Sequence, residues 1–134
     1  MPALTTDRRT QERLQSIREP GVAAGVTIYA GAMVAIAANG WAVPAAAVAA
    51  HRVIGRAEAR VVGGAVNGEN RVRVKAGVFK FSNSAAADLI ASADIGQPAY
   101  VVDDQTVAKT SSSNTRPVAG TIFDVDADGV WVRF

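Results

Sequence analysis

Apolar and polar positions alternate in short runs along most of the chain, and glycine and asparagine punctuate the runs. The clearest run is at 71–76, where Arg71, Arg73 and Lys75 alternate with Val72, Val74 and Ala76. Period two gives a strand with one basic and one apolar face. Gly77 interrupts it, and Phe79 and Phe81 resume on the other parity, which predicts a bulge or a strand that changes sheets. Upstream, Val22, Val26, Ile28 and Tyr29, then Met33, Val34 and Ile36, supply β-formers. Asn39-Gly40 is a hairpin signal leading into Trp41–Val43. Val53-Ile54 and Val61-Val62 predict further strands, with Gly55 marking a bulge or bend. Strands are also expected over Ala99–Val102, Thr106–Ala108 and a last hairpin of 120–125 and 130–134. Gly63-Gly64, Asn67-Gly68, Asp103–Gln105 and Ser111–Thr115 read as turns and loops.

Helical signals are few. Ala45–Ala50 favours one turn after Pro44, and Ser82-Asn83-Ser84 is placed to cap a short helix over Ala85–Ala91. Short strands separated by glycine turns predict an all-β domain: a small β-sandwich or barrel with one short helix.

Residues 1–20, MPALTTDRRTQERLQSIREP, have a different texture. They are polar, and the pair Leu14 and Ile17 is too short an apolar stripe to hold a helix alone. The segment reads as an extended or partly helical N-terminal arm, and 21–134 as the β-rich domain.

Length and composition refine this picture. A chain of 134 residues fits one domain with a modest core. Its 49% hydrophobic content is largely Ala and Val, so the core is thin and gains from partners. A net charge of +2 is too small for nonspecific nucleic-acid binding. Basic residues dominate 51–80 and acidic residues 81–134, so copies could pair through opposite charges, although both sets can equally be solvated separately. With no cysteine, disulfides, zinc–thiolate sites and thiol catalysis are excluded. Asp7, Arg8, Arg9, Glu12 and Arg13 occupy the place of a leader's apolar stretch, so synthesis in the cytosol is expected. The uncharged run 21–50 is diluted by glycines, Asn39 and Pro44, and reads as strands rather than a membrane span.

Candidate chemistry is sparse. DVDADG, 124–129, opens like a calcium loop with Asp124, Asp126 and Asp128 as alternating ligands. That loop needs a bidentate Glu at its twelfth position and flanking helices. The segment therefore reads as a hairpin turn with Thr121, Phe123 and Val125 on one face, and no metal is expected. His51, the one histidine, has no nucleophile motif to serve. Asp103-Asp104 fits hydrogen-bonding turn residues better than paired carboxylates. The Gly63–Gly68 stretch lacks the Lys-Ser/Thr ending of a phosphate loop. The 71–75 basic face has no interleaved aromatics for bases to stack on, so it reads as solvated or subunit-facing. No catalytic residue and no cofactor is expected.

The ordered series GVTIYAGAMVAIAANGWAVPA, VRVKAGVFKFSNSAAADLIASADIGQPAYVVDDQTVAKT and VAGTIFDVDADGVWVRF resembles small proteins encoded beside the major head protein of tailed bacteriophages and prophages, including Mu-like ones. It is similar to capsid decoration, or head cement, proteins over about residues 20–134. The resemblance implies an all-β virion protein, made in the host cytoplasm, that sits outside the phage head and bridges major capsid subunits. It implies self-contact on the shell, often as a homo-trimer, with no direct nucleic-acid or membrane partner. The arm lies outside the similarity. Arg8, Arg9, Arg13 and Arg18 are its candidate capsid contacts, since arginine forks onto carboxylates. Leu14 and Ile17 are its candidate apolar anchors. The competing expectation is a β-barrel module that binds carbohydrate or nucleic acid, which requires an exposed aromatic platform.

Overall fold

A computed structural model describes residues 2–134. Its twelve strands are β1 (Ile17–Arg18), β2 (Thr27–Ile28), β3 (Met33–Ile36), β4 (Ala42–Pro44), β5 (Arg52–Ala57), β6 (Val61–Val62), β7 (Val74–Lys75), β8 (Val78–Phe81), β9 (Pro98–Val101), β10 (Val107–Ala108), β11 (Val118–Asp126) and β12 (Gly129–Arg133). They form two five-stranded sheets, ordered β1-β7-β5-β3-β4 and β10-β9-β11-β12-β8, and a small β2-β6 ladder. The fold is an all-β sandwich, and every strand pair is antiparallel.

The first sheet is the middle layer. Met33 and Ala35 of β3 join the core of the second sheet, with Ile122, Val130 and Val132. Val34, between them, joins Val22, Ile28 and Val74 under the β2-β6 ladder. A strand covered on both faces needs apolar residues at every position, which is why 33–36 reads MVAI without alternation. Among the described residues no polar or charged side chain is buried, and the core is largely valine and alanine.

The second sheet curls almost shut. Beyond the ends of its outer strands, Ser82 bridges Thr106 in parallel. The Ser82 amide donates to the Gln105 carbonyl at 2.8 Å, and the Val107 amide donates to the Ser82 carbonyl at 3.0 Å. Closure of this kind removes an edge that would otherwise offer unpaired backbone groups.

Several local expectations are refined. Asn39-Gly40 does turn a hairpin, with Gly40 at φ 90°. In 71–76 the alternation holds, but only Val74 and Lys75 lie in a ladder. At Gly77 the chain passes from the first sheet into the second. The helix expected over Ala85–Ala91 resolves into two 3-10 turns, Ala86–Asp88 and Ser92–Asp94. The Asn83 side chain accepts from the amides of Ser84 and Ile90 and donates to the Ile90 carbonyl. That clamp draws Ile90 into the core and overrides alanine's helix propensity. In β11 the expected common face of Thr121, Phe123 and Val125 is corrected. A bulge between Ile122 and Asp124 buries Ile122 and leaves Phe123 53% exposed.

Candidate interaction surface

The arm is the most exposed part of the chain. Every residue from 2 to 15 is exposed, Leu4 at 71% and Leu14 at 83%. Arg8, Arg9 and Arg13 project from this stretch, and no helix forms in it. A charged, apolar-poor segment cannot bury enough surface to offset its ordering entropy.

The arm becomes fixed at Ser16. Ile17 pairs with Lys75 and Arg18 with Val74 at the outer edge of the first sheet. The Ala76 amide donates to the Ser16 carbonyl at 2.7 Å, and the Val72 amide to the Pro20 carbonyl at 3.1 Å. Arg71 Nη1 donates to the Glu19 carbonyl at 2.8 Å. Half-buried Ile17 and exposed Arg18 thus form the base of the arm, while Arg8, Arg9, Arg13 and Leu14 lie beyond it. The basic run at 71–75 and the arm's base, separated by about fifty positions in sequence, share one sheet edge. No sequence signal announces this pairing, because two residues are too short a strand to show periodicity.

Beside the base, where the two large sheets splay, lies an open groove of about 870 Å³. Val53, Ile54, Val78, Val118 and Phe134 line it, with Arg18 and Arg133 among the polar residues. Val118 is half exposed there. Arg56, on the neighbouring β5, stacks 4.1 Å over the Phe79 ring and pairs with Glu58 at 3.0 Å.

The other candidates separate. In the 124–129 segment Asp126 organises the turn. Its Oδ1 accepts from the amides of Asp128 at 2.8 Å and Gly129 at 3.1 Å. Its Oδ2 accepts from the Trp131 indole and lies 3.2 Å from Lys80 Nζ. These donors, the indole first, hold the Asp126 carboxyl below the usual carboxylate range. Asp124 Oδ1 accepts from the Val125 amide. Asp103 Oδ1 accepts from the Gln105 amide, an Asx turn. Burial, then the neighbouring Asp103, pushes the Asp104 carboxyl up. The exposed aromatics, Tyr29 and Phe123, stand beside β2 and on β11, in different sheets. His51 precedes β5 at the lip of a separate cleft. No helix among the described residues is long and apolar enough to cross a membrane.

Comparison with protein-family models, curated proteins and solved structures returns no match to this chain.

Proposed function

We propose that this chain is a structural virion protein that binds the outside of a phage head and stabilises contacts between major capsid subunits. The observation that carries the reading is the arm: residues 2–15 are exposed along their whole length, yet β1 fixes their point of departure on a sheet edge. Such a segment orders on a partner and extends the contact area of a small domain. Arg8, Arg9 and Arg13 would fork onto capsid carboxylates and Leu14 would fill an apolar notch, with Ile17 and Arg18 setting the direction of approach. The resemblance to decoration proteins supports the same reading and adds self-contact on the shell, as a homo-trimer or another self-association. A thin Val/Ala core is consistent with a protein that gains stability from binding an assembled lattice.

The test is co-sedimentation of the purified protein with empty expanded heads and, in parallel, with unexpanded procapsids, followed by heating of the bound shells. Saturable binding to expanded heads and a raised disruption temperature are expected. Absence of binding to both shells overturns the reading.

A further inference from the structure

A second cleft, of about 490 Å³, opens where the start of β5 meets β9 and the loop between β10 and β11. His51, Arg52, Tyr100, Ser111, Asn114 and Arg116 supply its polar lining, and no carboxylate lines it. Arg52 brings an uncompensated positive charge to this concave lining, and Arg116, whose charge is shared with Asp88 behind it, adds guanidinium donors.

The parts are held in place from behind. Arg116 Nη1 lies 3.3 Å from Asp88 Oδ2 and donates to the Thr110 carbonyl at 3.2 Å. Asp88 is itself oriented by the Thr110 hydroxyl at 2.6 Å. The side-chain hydrogen bond and ion pair of Arg116 among the described residues both run through Nη1, which leaves Nε and Nη2 free to donate. Arg52 makes no ion pair among the described residues. His51 Nδ1 is sealed from solvent without a partner. With Nδ1 shut away, Nε2 is the ring nitrogen left to meet a ligand. Ser112, Ser113 and Asn114 are three successive non-glycine residues with positive φ, at 50°, 57° and 66°. L-residues adopt this left-handed turn only at an energetic cost. The turn closes through the Thr115 and Arg116 amides, both donating to the Ser111 carbonyl at 3.0 Å, and it keeps Ser111 and Asn114 on the rim.

We propose that this cleft is a binding site for a small oxyanion, a phosphate or carboxylate group, gripped by Arg52 and the free edge of Arg116, with His51 Nε2, Ser111 and Asn114 as further donors. The site stands apart from the arm and does not rest on the shell reading.

His51 is the sole histidine, so its ring signals in an NMR spectrum need no assignment by mutation. The full chain is titrated at fixed pH and ionic strength with inorganic phosphate and, separately, with acetate. Saturable shifts of the His51 ring and of the Asn114 amide are expected with at least one anion. Arg52→Gln, at an exposed position, is expected to weaken that binding about tenfold, while Arg8→Gln leaves it unchanged. Saturation by phosphate alone assigns a phosphate group, and saturation by acetate alone assigns a carboxylate. Shifts that rise linearly with both anions, or equal affinity in a folded Arg52→Gln protein, overturn the proposal.

Discussion

The Trp131 indole N–H donates to Asp126 Oδ2 at 3.0 Å, across the turn that joins the last two strands. Together with two turn amides and Lys80, it occupies both carboxylate oxygens. A cation at this turn would have to displace those donors. The melting temperature is therefore expected to be the same in calcium and in chelator, measured by the fluorescence of Trp41 and Trp131. A calcium-dependent rise would show that the turn reorganises around metal. Asp126→Ala should lower the melting temperature in either buffer.

Acid should weaken the fold through two carboxylates. Asp126 titrates below its ordinary range, as does Asp88 through Thr110 first and then Arg116. A folded-state pKa below the unfolded one gives stability that is present above the unfolded value and is lost as pH falls through the folded value. Urea midpoints measured from neutral pH down to pH ~2 should fall across and below the ordinary carboxylate range. Asp126→Asn should flatten that fall.

Asp104 should behave in the opposite sense. Its carboxyl is raised, chiefly by burial, so ionising it at neutral pH costs stability. Asp104→Asn is expected to raise the urea midpoint at neutral pH. The gain should disappear below the unfolded carboxylate pKa, where the native aspartate is also neutral. A loss at neutral pH would mean that the carboxylate has a structural role.

Met33 ties the two large sheets together. It is fully buried on β3 and packs with Ile122, Val130 and Val132 from the opposite sheet. Met33→Ala should cost about 2–5 kcal/mol in urea unfolding, the range for emptying a large core position. A cost below about 1 kcal/mol would show that the sheets slide to close the gap.

Removing residues 2–15 deletes no ladder pair and should change stability by less than about 0.5 kcal/mol. Extending the deletion to residue 20 also removes β1 and the Glu19 and Pro20 carbonyl acceptors. That protein should unfold at lower urea. Equal losses from both deletions would place the arm in contact with the domain.

The sequence carried the fold class through its turns and strand periods. Asn39-Gly40, Gly55 and Gly77 mark a hairpin, a bulge region and a sheet change where the residues require them. The alanines at 85–91 misled, because a distant-acting amide side chain, Asn83, set that loop instead of local propensity. Phe123 misled because a bulge reverses parity without leaving a mark in composition. The cleft around His51 and Arg116 was not legible at all. Its residues come from three separate segments, and only the packing of two sheets brings them to one place.

The two-residue attachment of the arm also has a mechanical consequence. β1 is outermost in its sheet and contributes only one half-buried side chain, Ile17. Tension along residues 2–15 would reach Ile17 and Arg18 before any buried layer. An edge strand of this size can peel away while the rest of its sheet stays paired. The attachment therefore acts as a fuse: under strain it lengthens the tether by a few residues and spares both hydrophobic layers.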